Sequence, residues 1–165
     1  MGLSSEEKIA YLYDRSLISD TIHRYFMALD VKDWAAVREV LDDRFLIDAA
    51  TVMENVAEPQ PVDEFIEGLI ARNGGFLGTT HLNPGHIIEV DGDAAHVKAH
   101  MYCPHWVDET DDGMYLAYGR YEIDLVRRGD GWRMTKLLIH IDGARGDASS
   151  VYAAAAANFE AKPHR

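Results

Sequence analysis

A chain of 165 residues with 28 acidic and 16 basic side chains, formal charge -12, offers no basic face for nucleic acid or an anionic membrane. Its 47% hydrophobic and 27% charged composition is that of a folded soluble protein, most simply one domain over residues 1–165 that buries roughly 70% of its unfolded surface. The single Cys103 excludes an internal disulfide and fits a reducing compartment; residues 1–6 lack the basic start and apolar run of a secretory signal, so a cytoplasmic location is expected.

Ser4, Ser5, Glu6 and Glu7 spell a helix start, hydroxyls at the cap and acids in the first turn, before a short helix over 8–13. A main helix over 14–29 follows, in which Ile18, Ile22, Phe26 and Leu29 recur at helical spacing and predict a core-facing stripe. Val31, Lys32 and Asp33 interrupt that pattern, a third helix covers 34–41, and 44–48 read as a first strand. Residues 51–61, with two prolines and little periodicity, read as a loop. Residues 62–71 read as a helix with Phe65, Ile66 and Leu69 on one side, stopped by Asn73, Gly74 and Gly75.

From Phe76 onward the pattern turns to β. A long strand over 79–90 is expected to bulge near Asn83, Pro84 and Gly85, because proline cannot donate to a ladder. Asp91, Gly92 and Asp93 form a hairpin turn. Residues 94–106 then alternate, with Ala95, Val97, Ala99, Met101 and Cys103 on one face and His96, Lys98, His100 and Tyr102 on the other. An acidic loop over 108–113, a strand over 114–126, a turn at 128–131 and a last strand over 132–141 complete the series. Residues 149–159 hold five consecutive alanines, a strong helix former, so 145–165 form a C-terminal tail or helix. Helices first and long strands after predict an α+β architecture, N-terminal helices packed on one face of a curved antiparallel sheet.

Several chemistries have no support in the residues. There is no GxSxG elbow, Walker loop or dinucleotide fingerprint, no paired cysteine and no His-x-x-x-His on a helix, so neither a metal nor a cofactor is expected. His81 and His86, or His100 and His105, lie five apart and on regular strands would face opposite ways. What stands out is Asp30, an acid at the end of an apolar helix beside Tyr25. A histidine oriented by such a carboxylate makes a general base near neutral pH.

Arg24-Tyr25, Ala28-Leu29-Asp30, Asp33-Trp34, Phe45-Leu46-Ile47-Asp48, Thr80-His81, Tyr118-Gly119-Arg120-Tyr121 and Gly131-Trp132 occur in an order and spacing that resemble the NTF2-like superfamily. Within it they resemble the SnoaL-like family, which includes scytalone dehydratase, bile acid dehydratase and lindane dehydrochlorinase. The resemblance runs from about residue 16 to about residue 141 and implies a cone: helices folded on a strongly curved sheet that encloses an apolar pocket. It implies a cofactor-independent lyase of dehydratase type, with His81 as base, Asp30 orienting it and Tyr25 assisting an oxygen. The substrate would be a small hydrophobic ring compound such as a polyketide, steroid or aromatic. Further lining is expected from the sheet, where His100, Tyr102, Tyr115, Tyr118 and His140 lie, and Arg145 stands where the family closes a pocket mouth. A polyketide cyclase or an isomerase of the same fold is an alternative. For the isomerase, the carbon-acid base at the end of the first strand would fall on Ala49. A non-catalytic ligand-binding or accessory subunit is another, and a homo-oligomer, dimer or trimer, is expected by the same resemblance.

Overall fold

The computed structural model describes residues 4–48, 58–110 and 112–161. Helix α1 (Ser5–Val31) begins on Ser4, whose hydroxyl accepts from the Glu7 N–H while the Glu7 carboxylate accepts from the Ser4 N–H. The two expected leading helices are one, because nothing between Tyr13 and Asp14 breaks the turn. Tyr11 and Arg15 both donate to the Ile88 carbonyl and hold the first turns on the sheet. Midway, Asp14 takes both Arg127 nitrogens at 2.7 and 2.9 Å and the Trp132 indole N–H at 3.2 Å, which fastens the helix to a hairpin far along the chain. Ile18, Ile22, Phe26 and Leu29 are buried, as their spacing predicts. Lys32, at φ 61°, closes the helix in the left-handed conformation and leaves Asp30 in its last turn.

Helix α2 (Trp34–Val40), capped by the Asp33 carboxylate, leads into β1 (Leu41–Asp48). The short β2 (Gln60–Pro61) pairs with β1, and α3 (Val62–Asn73) follows. Residue 49 and most of the expected 51–61 loop lie outside the described residues, so the Ala49 comparison has no structural counterpart. The expected 79–90 strand is divided into β3 (Gly78–Thr79) and β4 (Ile87–Asp91), with one isolated bridge between them, from Leu82 to Tyr102. Pro84 and Gly85, the latter at φ 78°, prevent a continuous ladder. Both segments pair with the long β5 (Ala94–Trp106), followed by β6 (Met114–Arg128), β7 (Gly131–Arg145) and α4 (Ala148–Ala161).

Sheet order is β2-β1-β7-β6-β5-β3, with β4 also on β5. One pairing departs from the antiparallel expectation: β1 runs parallel to β7, so the sheet is mixed. The other long strands are joined by hairpins, which force antiparallel neighbours; β1 and β7 are joined by most of the chain, and no turn dictates their direction. Register shifts at Tyr118/Gly119 and Asp124/Leu125 bend β6 and β7, and the helices sit in the resulting curl.

Helix α4 closes the open end of that curl by resting on the loop after α3. Asn158 donates to the Gly75 carbonyl at 3.3 Å, and a Cβ on Gly75 would run into the Ala155 carbonyl. Gly75→Ala therefore forces α4 off its seat and is expected to cost about 1–3 kcal/mol in urea unfolding. Gly68, in the middle of α3 with open space where a Cβ would go, is the control: Gly68→Ala should raise stability by up to about 1 kcal/mol.

Candidate active site

Asp30 and His81 are 51 residues apart in sequence and meet where the end of α1 crosses the edge strand. The crossing has a backbone cause. Thr80 and Leu82 send their N–H groups to Pro104 and Tyr102 on β5, so the intervening His81 N–H points the other way, out of the ladder. Asp30 accepts it at 2.9 Å through one oxygen, while the other accepts from His81 Nδ1 at 2.6 Å and from the Thr79 hydroxyl at 2.8 Å. A carboxylate only accepts, so Nδ1 carries the ring proton and Nε2 is left as the basic nitrogen. Burial pushes the Asp30 carboxyl up, but the His81 ring and backbone and the Thr79 hydroxyl outweigh it and hold the group below its ordinary value.

The His81 ring faces a cavity of about 460 Å³ inside the curl. Its walls are mostly apolar, with Leu29, Ile47, Leu69, Met101, Leu137 and Ile139 among them. Phe26 stacks between the His81 ring (centroids 5.7 Å) and Tyr121 (4.9 Å), backing the imidazole with a rigid aromatic pile. Tyr25 is buried and lines the same space; its hydroxyl has no hydrogen-bond partner among the described residues, and burial raises its pKa, keeping it a phenol. Cys103 and the Tyr121 hydroxyl lie 2.8 Å apart; burial pushes the thiol up to about 12, so it is not a nucleophile at neutral pH. Among the described residues no group of three or more His, Cys, Asp or Glu side chains is placed to hold a metal, and no helix is long and apolar enough to cross a membrane.

Residues 10–138 match the model of the SnoaL-like domain. The chain belongs to the SnoaL-like family. No curated protein matches it. Among solved structures, the Kfla4162 protein from Kribbella flavida is 27% identical with a TM-score of 0.79, over 87% of this chain and 99% of that one. A proposed scytalone dehydratase from Novosphingobium aromaticivorans is 18% identical, TM-score 0.74, over 85% and 91%. A hexachlorocyclohexane dehydrochlorinase is 15% identical, TM-score 0.67, over 86% and 93%. The last two likenesses establish a shared fold, and the helices on a strongly curled sheet form the NTF2-like cone.

Not every residue singled out in the sequence reaches the SnoaL-like cavity. His100, Tyr102 and Tyr118 are exposed on the outer face of the sheet, because Ala99, Met101, Cys103 and Ala117 take the inward positions. His140 points outward too, and its Nε2 donates to the Glu122 carboxylate at 3.1 Å. Arg145, at the end of β7, is exposed and does not line the cavity, since the strand has passed the curl there. Tyr115 does line it.

His105 carried no role in the sequence reading beyond its spacing from His100, yet it shares the inward parity of Cys103 and enters the cavity wall. Its ring meets that of His81 edge-on at 5.2 Å, and its Nδ1 donates to the Cys103 carbonyl at 3.1 Å, leaving Nε2 as an acceptor. Burial, then the neighbouring His81, lower its pKa to about 4. A neutral His105 lets a proton rest on His81 without a second cation beside it. The same shift has a stability consequence. Unfolded, the ring takes a proton near its ordinary 6.5; folded, not until about 4, so stability falls as pH drops through that window, by on the order of 3 kcal/mol. His105→Gln should shrink the loss measured by urea unfolding between pH 7 and pH 4.5; an unchanged loss would remove His105 from the account.

Proposed function

We propose that the chain is a cofactor-independent lyase of dehydratase type, acting on a small ring compound with a hydroxyl β to a carbonyl. The observation that carries this reading is the 2.6 Å contact between Asp30 and His81 Nδ1, which leaves Nε2 basic at the wall of an apolar cavity. In the proposed step Nε2 takes the proton from the carbon next to the carbonyl. The Asp30 carboxylate stabilises the imidazolium, and the Tyr25 phenol donates a hydrogen bond to the carbonyl oxygen as negative charge collects there. The C–O bond at the β carbon then breaks, the imidazolium returns its proton to the departing hydroxyl, and water leaves. Proton count and charge close without an external acid. A cavity of about 460 Å³ holds a fused-ring molecule and little water beside it, which protects the intermediate.

The test is product analysis in D2O with a panel of cyclic β-hydroxy ketones. An unsaturated ketone lighter by one water supports the lyase. A rearranged or cyclised product of unchanged composition would replace it with isomerase or cyclase chemistry, and tight binding without product would make the chain a carrier.

A further inference from the structure

Beside Tyr25, Cys103, His105, Tyr115 and Tyr121, which also line it, the cavity has two sets of polar side chains. One is the pair at the end of α1 and the edge strand. The other lies where α3 ends and α4 begins: Arg72, Asn73, Ser149 and Tyr152. His105 has a ring contact with each set, its centroid 5.2 Å from that of His81 and 5.8 Å from that of Tyr152, and among the described residues no direct ring contact joins His81 to Tyr152.

Arg72 is the one arginine or lysine lining this cavity among the described residues. It is solvent-exposed, so it stands at the rim, and no carboxylate pairs with it among the described residues. By contrast, Arg38, Arg120, Arg127 and Arg128 on the protein surface grip aspartates. A charge of -12 gives an anionic ligand no long-range attraction, and the Asp30 carboxylate repels one at the deep end. An anionic group is therefore best placed at the rim, beside a guanidinium that pairs with no carboxylate of the described residues.

We propose that Arg72 reads an anionic substituent, so that the substrate is an amphipathic ring compound bearing a carboxylate, or a comparable anion, at the end remote from the carbon that His81 deprotonates. The orientation rests on the lyase reading; the binding claim does not. A guanidinium presents a planar fork that matches a carboxylate and holds it by charge-assisted hydrogen bonds. The Tyr152 hydroxyl supplies a neutral donor in the same set, while the Ser149 hydroxyl donates to the Asp147 carboxylate at 2.7 Å. Burial, above all, pushes Tyr152 up to about 12, and the Arg72 charge acts against that shift, which places the two groups within electrostatic reach.

Two fluorescent probes share a skeleton and differ by one anionic group: 8-anilinonaphthalene-1-sulfonate and neutral N-phenyl-1-naphthylamine. Titrated into the wild-type chain, they should compete with each other. In Arg72→Gln the sulfonate should bind about tenfold more weakly while the neutral probe is unchanged, and Arg72→Lys should recover most of the loss. Equal sulfonate affinity in the wild type and Arg72→Gln would overturn the proposal. So would parallel weakening of both probes, which is what a merely structural residue at the end of α3 would give, or a failure of the probes to compete. Neither titration involves turnover, so a chain that proves not to be a lyase would leave this result standing, and a lyase with a silent Arg72 would refute only this proposal.

Discussion

His81→Gln is expected to cut elimination turnover by a factor on the order of 10²–10⁴, the range a positioned general base contributes, with the chain still folded. The side chain is only one-tenth exposed, but glutamine is close to it in length and keeps an N–H donor for Asp30, so the substitution opens no large void. Asp30→Asn should lose nearly as much turnover and, unlike His81→Gln, should also lose stability. Asp30 accepts from three donors, the His81 N–H, His81 Nδ1 and the Thr79 hydroxyl. An amide offers one acceptor and sets an NH2 against the rest, a cost of about 1–3 kcal/mol. Initial rates on the substrate found by product analysis, beside circular dichroism and urea midpoints, separate the two effects. A His81→Gln protein that turns over at the wild-type rate would end the assignment of the base.

What the sequence made legible follows the range of each interaction. The Ile18, Ile22, Phe26 and Leu29 stripe, the Ser4 cap and the turns at Gly92 and Gly129 are local patterns, and each stands where spacing or turn chemistry put it. The meeting of Asp30 with His81 is not local; only the family resemblance joined them. Arg72 and Tyr152 had no signal at all, because each belongs to a helix whose seat on the sheet is set by distant contacts such as Gly75 against Ala155. His105 lay between these cases. The alternation that buries Ala95, Val97, Ala99, Met101 and Cys103 also carries it inward, although its five-residue distance from His100 says nothing of the cavity. Parity along β5 also sends His100 and Tyr102 outward, a consequence visible once the small residues between them are taken as the core face. The parallel pairing of β1 with β7 was out of reach, since no hairpin joins the two.

Phe26→Ala should produce the largest stability loss in this site, about 3–5 kcal/mol, a substantial share of the roughly 5–15 kcal/mol that holds a domain together. The ring is 2% exposed and touches three others: Tyr25 edge-on at 5.0 Å, Tyr121 at 4.9 Å and the His81 imidazole at 5.7 Å with planes 19° apart. Removing it adds its volume to the existing cavity and takes away the surface against which the imidazole lies. The rate should therefore fall further than unfolding alone explains, and Phe26→Leu distinguishes the two contributions. Leucine refills most of the space but offers no flat face to a ring. If Phe26 only fills volume, Phe26→Leu returns both the urea midpoint and kcat toward wild type. If the stack fixes the direction of His81 Nε2, the midpoint recovers while kcat stays depressed with KM little changed, because a misaimed base weakens the transition state more than it weakens binding.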